Sequence, residues 1–270
     1  MPIVTVLMFG DVVGKPGRSA LRQTLPALKE KYDPDFIVAN GENIASGSGI
    51  TLPLAQKLFG YGIQAVTSGD HIFRNKEFPL IIDNPKILRP VNYPKSAAGR
   101  GWNVYEARGG VQIAVVNVMG RIFMEPHDCP FNAMDNALRE IAEKHPGLKV
   151  IVVDMHAEAT SEKVGMGWYL DGRVSAVVGT HTHVQTVDER ILPMGTAHLS
   201  DLGMTGPYDG IIGREKVPVL HKLTTGMPAK FDVAEQNLKA CGAAIKIQSE
   251  TGKALSIERI QAQAGSSNED

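Results

Sequence analysis

Histidines and acidic side chains follow short apolar runs at five places in this sequence. The five segments are Phe9-Gly-Asp11, Ala39-Asn-Gly-Glu-Asn43, Ser68-Gly-Asp-His71, Asp154-Met-His156 and Gly179-Thr-His-Thr-His183. In an open α/β sheet, ligands bind beyond the carboxyl ends of the strands. If the apolar runs are strands of such a sheet, all five segments converge on one rim.

The residue types at these positions suit a transition metal. Carboxylates and imidazoles together make a mixed oxygen and nitrogen ligand set, which fits Mn, Fe or Zn better than Mg or Ca. The two cysteines, Cys129 and Cys241, lie outside the five segments and have no close spacing that would indicate a thiolate site. The segments therefore predict a metal centre without sulfur ligands.

Most of these residues have an ordinary structural explanation when each is taken alone. Asp11 could cap a helix or a turn, and Glu42 with Asn43 could belong to a solvated loop. His156 could be a hydrogen-bonded core histidine. A pair of histidines one residue apart, His181-Thr-His183, has little packing rationale just past an apolar strand. The structural explanations are independent of one another, whereas one metal centre explains all the segments together.

The elements that would position these residues alternate between strands and helices. Runs rich in Val, Ile and Ala predict buried strands at Ile3–Phe9, Phe36–Ala39, Ala65–Thr67, Val111–Val118, Val150–Val153 and Val174–Val178. Helical patterns lie at Arg18–Tyr32, Leu52–Gly60, Asn132–Lys144 and Ser161–Tyr169. This alternation predicts an α/β protein with a parallel or mixed sheet covered on both faces. Pro26 is expected to kink or restart the first helix.

The C-terminal part of the chain has a different pattern. Polar and apolar residues alternate in Ala243–Ile247 and Leu255–Ile260 around a turn at Glu250-Thr-Gly-Lys253, which predicts an antiparallel hairpin. No linker or repeat indicates a second domain, so we expect one domain over residues 1–262. Residues 263–270 are expected to form a disordered tail, because the last six contain no apolar side chain to anchor them.

Composition narrows the range of partners and compartments. The 270 residues include 28 basic and 29 acidic side chains, so a broad electrostatic surface for nucleic acid is not expected. We expect no association with membranes, because no apolar stretch is long enough to span a bilayer and the N-terminal run lacks the basic residues of a signal peptide. Two cysteines favour a reducing cytoplasm. Homo-oligomerisation is left open.

At these motifs the sequence resembles the calcineurin-like metallophosphoesterase superfamily, and more closely its bacterial YmdB-like branch. The resemblance covers nearly the whole chain and is carried by Phe9–Gly17, Asn40–Asn43, Thr67–His71, Asp154–Lys163, Gly179–Val184 and Met204–Asp209. It implies a four-layer α/β/β/α sandwich with two mixed β-sheets and a dinuclear metal site at the sheet edge. It also implies phosphodiesterase activity, with 2′,3′-cyclic nucleotides as the expected substrates.

The resemblance further implies a role for each ligand. One metal would be held by Asp11, Asn43 and His183. The other would be held by His156 and His181, and Glu42 would bridge the two.

Asp70 departs from the superfamily pattern, in which Gly-Asn-His stands where this chain has Gly69-Asp70-His71. With Asp70 as a third carboxylate beside Asp11 and Glu42, two divalent ions and a bridging hydroxide would form a neutral centre. We therefore expect Asp70 either to weaken the attraction for phosphate or to favour a more highly charged ion, such as ferric iron. His71 is also followed by Ile-Phe-Arg, without the aspartate often seen soon after this histidine.

Two ions at about 3.5–4 Å would generate a bridging hydroxide that attacks phosphorus, and would neutralise charge on the phosphoryl oxygens. His71 is the candidate to protonate the leaving alkoxide or to stabilise the transition state. Its alternative role is to orient Asp70.

Three classes of function stay open on these residues. The first is a phosphodiesterase for cyclic nucleotides or other small phosphodiesters. The second is a phosphomonoesterase or nuclease with the same dinuclear site. The third is a weakly catalytic regulatory protein that binds a nucleotide.

Overall fold

The computed structural model describes residues 2–266, in which two β-sheets face each other between layers of helices. The strands are β1 (Ile3–Phe9), β2 (Asp11–Val12), β3 (Phe36–Asn40), β4 (Ala65–Thr67), β5 (Trp102–Glu106), β6 (Gln112–Met119), β7 (Val150–His156), β8 (Ala176–Thr180), β9 (Arg190–Ile191), β10 (Ala197–Leu199), β11 (Met204–Pro207), β12 (Leu238–Gln248) and β13 (Ala254–Gln263). The helices are α1 (Gly14–Tyr32), α2 (Leu52–Tyr61), α3 (Pro130–Lys144), α4 (Thr160–Tyr169) and α5 (Lys216–Thr225).

Both sheets are mixed. The first has the order β2-β11-β12-β1-β3-β4, with β13 paired to β12, and the second has the order β5-β6-β7-β8-β10-β9. Parallel pairs join β1 to β3, β3 to β4, β6 to β7 and β7 to β8. The carboxyl ends of these parallel strands therefore lie at one edge in each sheet.

Alternation along the strands divides the side chains among three cores. In β1, Val4, Val6 and Met8 face the second sheet, while Leu7 and Phe9 face α1 and α2. The same two-residue period occurs in β6 and β7, whose outward side chains pack on α3 and α4. A strand with both faces buried has this near-continuous apolar sequence. The arrangement confirms the four-layer α/β/β/α sandwich with two mixed sheets.

The predicted C-terminal hairpin is confirmed, and its place in the sheet was not foreseen. β12 pairs antiparallel with β13 on one side and with β1 on the other, from Ile3 opposite Gln248 to Phe9 opposite Gly242. Beyond the end of β1, β12 continues along β11. The last strands of the chain thus complete the sheet that carries the first strand.

The predicted helices are present and begin up to four residues earlier than their apolar patterns suggested. Of the two effects expected of Pro26, a restart of the first helix is wrong, because α1 continues from Gly14 through Pro26 to Tyr32, and a kink stays a prediction. Pro26 lies on the exposed face of α1, where water can satisfy the carbonyl that its missing N–H leaves free. The sequence patterns missed β2, β5, β9, β10, β11 and α5, which are short or weakly buried elements.

The chain end was predicted to fray from residue 263, but its first residues are hydrogen-bonded. β13 includes Gln263, and the amides of Ala264 and Gly265 donate to Leu238 O and Gln23 Oε1. Residues 267–270 of the predicted tail lie outside the described residues. The single domain over residues 1–262 stays a prediction.

None of the helices within residues 2–266 combines the length and the apolar character needed to cross a bilayer.

We predict that Gly10→Ala destabilises the protein, because a Cβ at Gly10 would lie 1.8 Å from the carbonyl oxygen of Gly203. Overpacking against fixed backbone costs about 1–3 kcal/mol or more. Gly60→Ala is the matched control, since a Cβ there meets nothing within 4 Å and the position is inside α2. It should stabilise by about 0.5–1 kcal/mol. Urea denaturation in the presence of a chelator measures the free energy of unfolding of both variants. Equal effects of the two substitutions would contradict the close approach of the backbone at Gly10 to Gly203.

Candidate metal centre

The rim where both sheets end brings together all eight residues predicted for the site. Asp11 follows β1, Glu42 and Asn43 follow β3, and Asp70 and His71 follow β4 of the first sheet. His156 ends β7 of the second sheet, and His181 and His183 follow β8. Packing of one sheet on the other joins residues that are up to 172 positions apart, from Asp11 to His183.

Four of these residues form a compact group of potential ligands. One atom from each of Glu42, Asp70, His156 and His181 lies within 4.8 Å of the others. His156 Nε2 is 3.2 Å from Glu42 Oε2 and 3.5 Å from Asp70 Oδ1. His181 Nδ1 is 3.0 Å from His156 Nε2 and 3.8 Å from Asp70 Oδ1. Two imidazoles and two carboxylates thus point at one position.

A second group lies beside the first. His183 Nε2 is 3.8 Å from Asp11 Oδ1 and 3.2 Å from Asn43 Nδ2. Asn43 Nδ2 is also 3.5 Å from Asp11 Oδ1. His183 Nδ1 donates to the carbonyl oxygen of Ile212, 3.0 Å away, which leaves Nε2 as the nitrogen facing the group.

Glu42 connects the two groups. Its Oε1 accepts a hydrogen bond from Asn43 Nδ2 at 3.1 Å, and its Oε2 is the oxygen close to His156. The side chain is 1 % exposed, so neither oxygen is free to turn to bulk water. A carboxylate with one oxygen toward each group has the geometry of a bridging ligand.

The amide of Asn43 is turned away from the orientation that metal binding requires. Its Oδ1 accepts from His71 Nδ1 at 2.9 Å, while Nδ2 faces Asp11, Glu42 and His183. Ligation through the oxygen needs a half-turn of the amide, which leaves the heavy-atom positions nearly unchanged.

His71 lies on the solvent side of the rim and contacts residues of both groups. Its Nδ1 bonds Asn43, its Nε2 is 3.4 Å from Asp70 Oδ2, and its side chain is 18 % exposed. The position leaves open both roles predicted for it, because the ring contacts ligands and also reaches solvent.

The charges of the group shift its titration. Burial opposes ionisation of Glu42, but the neighbouring His156 outweighs burial and lowers the pKa of this carboxyl to about 2. Burial would lower the pKa of His156, yet Glu42 and Asp70 raise it well above its ordinary value. The pKa of Asp70 is likewise lowered, since contacts with His156 and His71 overcome burial. Burial and the adjacent His156 lower the pKa of His181. Metal ligands must be deprotonated, so an ion bound here would take the place of the proton on His156.

Two features show that this group fits metal ions. Asp70 Oδ1 is buried and has no hydrogen-bond partner among the described residues, although it points at the two imidazoles. A buried carboxylate oxygen without a partner is costly unless a cation meets it. Gly69 is the second feature, because a Cβ there would lie 2.1 Å from His156 Nε2 and 2.3 Å from Glu42 Oε2. Only glycine lets the backbone pass so close to the ligands.

A buried network behind His156 fixes which of its nitrogens faces the group. Thr180 Oγ1 donates its only hydrogen to Asp154 Oδ1 at 2.7 Å, so it accepts from His156 Nδ1 at 2.9 Å. Thr67 and Asn40 also donate to Asp154 Oδ2. Burial raises the pKa of Asp154 to about 6, against the opposing influence of His156 and these hydroxyls. Asp154 belongs to a motif of the sequence, but its orienting role is visible only in these contacts.

The segment that carries the two late histidines is held by a buried ion pair. His181 and His183 have φ of 97° and 66°, a region that non-glycine residues rarely adopt. Between them, the Thr182 amide and hydroxyl donate to Asp201 Oδ2 at 3.3 and 2.6 Å. Lys163 Nζ lies 2.5 Å from the same oxygen, and both partners are 2 % exposed. Lys163 is therefore a support for this segment, and Asp201 is a residue that the sequence motifs missed.

Glu158 is a further acidic residue that sequence reasoning did not select. Its Oε2 is 3.3 Å from His181 Nε2, on the side away from the ligand group, and the side chain is half exposed. It contacts the outer nitrogen of a predicted ligand, which is the usual position of a carboxylate that orients a metal-binding histidine.

Known proteins are similar in sequence to this chain over nearly its full length. The family model of YmdB-like proteins matches residues 7–260. A 2′,3′-cyclic-nucleotide 2′-phosphodiesterase of Bacillus subtilis is 47 % identical over 256 residues, which cover 94 % of this chain and 96 % of the relative. A putative phosphatase/phosphodiesterase of Mycoplasma genitalium is 32 % identical and covers 97 % of this chain and 94 % of its own.

Two solved structures of similar sequence have the same fold as this chain. A protein described as a novel phosphatase of Mycoplasma pneumoniae superposes with a TM-score of 0.91 at 30 % identity, covering 97 % of this chain and 94 % of its own. A hypothetical protein of Thermus thermophilus superposes with a TM-score of 0.87 at 40 % identity, covering 97 % and 100 %.

We predict that Lys163→Met destabilises the protein by about 3–5 kcal/mol, because it leaves Asp201 as an unpaired buried charge. Unfolding in urea with a chelator present measures this cost apart from metal binding. Lys57→Gln is the control, since Lys57 is exposed on α2 and its replacement should change stability by less than about 0.5 kcal/mol. A Lys163→Met protein as stable as this control would mean that the ion pair does not support the histidine segment.

Proposed function

This chain belongs to the family of YmdB-like proteins and is a phosphoester hydrolase, and we propose that it hydrolyses small phosphodiesters, with 2′,3′-cyclic nucleotides as the principal substrates. The observation that carries the proposal is the pair of ligand groups at one rim, with one oxygen of Glu42 toward each. The Bacillus subtilis relative supports the choice of substrate, because its name specifies 2′,3′-cyclic nucleotides.

We assign seven of the eight residues to the metal ions, as the family resemblance implied. Asp11, Asn43 and His183 would hold one ion, His156 and His181 the other, and Glu42 would bridge them. Asp70 joins the second group, since its Oδ1 is near His156 and His181. The nitrogen and carboxylate donors favour two divalent or mixed-valence ions of Fe, Mn or Zn.

When bound, such a pair of ions lowers the pKa of a shared water and neutralises charge on the phosphoryl oxygens. The protein contributes the fixed geometry of the ligands, because Asp154, Thr180 and the Lys163–Asp201 pair hold the histidines in place. Hydrolysis at the 2′ ester adds hydroxide to phosphorus and leaves the 2′ oxygen in need of a proton.

His71 is positioned to supply that proton. It contacts Asn43 and Asp70 on the ligand side, and 18 % of its side chain is open to the space a substrate would enter. General acid catalysis by a positioned side chain contributes about 10²–10⁴-fold. The ring can later regain the proton from solvent.

We also propose that the protein works in the cytoplasm. Cys129 and Cys241 are both free thiols, and a reducing compartment keeps cysteines in that form.

A substrate panel tests the proposal. Protein freshly purified and analysed for metals should contain Fe, Mn or Zn, and after chelation one of these ions should restore hydrolysis of 2′,3′-cyclic AMP to the 3′-monophosphate. The same panel includes a phosphomonoester, a linear dinucleotide and single-stranded RNA, with Mg added as a further metal. Turnover of the monoester or of RNA that is faster than that of 2′,3′-cyclic AMP would contradict the proposal and indicate a phosphatase or a nuclease. Nucleotide binding without turnover under every metal would indicate a regulatory protein.

We predict that His71→Ala keeps the fold and the metal content and lowers kcat about 10²–10⁴-fold, because it removes only the proton donor. Metal analysis and thermal unfolding accompany the kinetics, and His145→Ala is the control, as a histidine after α3 that belongs to neither ligand group. Full activity in His71→Ala would exclude it as the acid. Loss of metal instead would identify His71 as a support for Asp70 and Asn43.

A further inference from the structure

The two oxygens of Asp70 have different surroundings. Oδ1 is buried and faces the imidazoles of His156 and His181 at 3.5 and 3.8 Å. Oδ2 accepts a hydrogen bond from Arg74 Nη2 at 2.7 Å and lies 3.4 Å from His71 Nε2. The carboxylate therefore separates the metal-binding group from a guanidinium.

The backbone after β4 places Arg74 in this position. Successive turns, in which Ile72 N–H donates to Gly69 O and Arg74 N–H donates to His71 O, bring residues 70 and 74 to the same side. Ile72 is fully buried, and the Phe73 ring packs against Phe78 and Tyr93 with centroids 5.1 Å apart in each pair. Arg74 thus extends from an anchored segment, and half of its side chain is exposed.

The negative charge of Asp70 explains why its contact with Arg74 matters. An asparagine at position 70 would offer a metal the same oxygen without a negative charge. Asp11, Glu42 and Asp70 together place three carboxylates against the ions, and a phosphodiester brings a further negative charge. Repulsion between Asp70 and the substrate would oppose binding, unless a cation beside the carboxylate cancels it.

We propose that Asp70 and Arg74 act as one neutral unit, in which Asp70 Oδ1 binds metal while Arg74 fixes the carboxylate and cancels its charge toward the anionic substrate. Arg74 is a positioning residue in this unit, and the inference rests on the proposed function. It implies that Asp70 gives a net weakening of the attraction for phosphate only when Arg74 is absent, which differs from the first of the two effects expected from the sequence.

Three variants separate the effects of ligand and charge. Arg74→Gln leaves Asp70 uncompensated, so affinity for an anion should fall about tenfold while the metals stay bound. Asp70→Asn removes a charged ligand, so metal affinity should fall about tenfold and anion affinity should rise. The double variant Asp70→Asn/Arg74→Gln restores the net charge. Its anion affinity should therefore return to within about threefold of the parent, while its metal affinity stays lowered.

The measurements do not depend on turnover alone. Metal dissociation constants come from chelator competition, and calorimetry with inorganic phosphate on manganese-loaded protein reports anion binding. The KM and kcat for 2′,3′-cyclic AMP are measured as well, and the loss of anion affinity in Arg74→Gln is expected to raise KM rather than lower kcat. Thermal unfolding of the metal-free proteins shows whether each variant folds.

Two controls test the placement of the charge. Lys76→Gln removes a positive charge from the same segment, two residues beyond Arg74, and Lys76 has no ion pair among the contacts of the described residues. It should leave phosphate binding within about twofold of the parent, because its charge is exposed and screened. Arg74→Lys keeps the charge and should retain most of the phosphate affinity.

A double variant that binds phosphate as weakly as Arg74→Gln would overturn the unit, because removing the carboxylate would then not have restored the balance of charge. An Arg74→Gln protein that binds phosphate like the parent would overturn it as well. Loss of metal from Arg74→Gln would overturn it too, since Arg74 would then be needed for the ligand group itself. A parent protein that holds no metal and cleaves no phosphoester would instead overturn the proposed function, and this inference with it.

Discussion

The molecule must keep several ionised carboxylates apart from bulk water at one edge of its two sheets. Asp11 and Glu42 are 0 and 1 % exposed, and Asp70 places one oxygen in the same buried space. An isolated buried charge is very costly, so each needs a partner of opposite charge or a set of donors. Without an ion, a proton on His156 meets part of this need. Divalent cations would compensate the carboxylates more completely, so the same ions that serve the chemistry would also stabilise the strand ends around the site.

The sandwich supplies the rigid frame that this concentration of charge requires. Each predicted ligand lies at or just beyond the end of a strand whose two faces are buried, and the three cores hold these strands together. Backbone movement that relieved repulsion among the carboxylates would therefore disrupt this packing. Side chains one step further away, such as Asp154 with Thr180 and Lys163 with Asp201, then set the orientation of the histidines. These supports belong to the second sheet and its helices, whereas the predicted acidic ligands Asp11, Glu42 and Asp70 follow strands of the first.

Under the proposed function, substrate recognition would depend on the solvent-facing side of the same carboxylates. His71 and Arg74 both contact Asp70 Oδ2, and both are open to solvent in part. A phosphodiester that approaches the rim would meet these two side chains as well as the ions of the proposed centre. In the proposed unit, the departure of position 70 from asparagine is linked to Arg74, whose guanidinium lies 2.7 Å from the Asp70 carboxylate.

The sequence by itself determined the α/β class, the strands that end at the site and the eight candidate residues, because apolar runs followed by Gly, Asp and His are local signals. It also determined the C-terminal hairpin, whose alternation is equally local. Only the tertiary structure decided that this hairpin stands beside β1, that Pro26 is tolerated within α1, and that Glu42 points one oxygen toward each ligand group. Lys163 with Asp201 and Asp70 with Arg74 likewise became meaningful only as pairs. Their roles depend on distance and burial, which arise when the two sheets pack together and which no local pattern encodes.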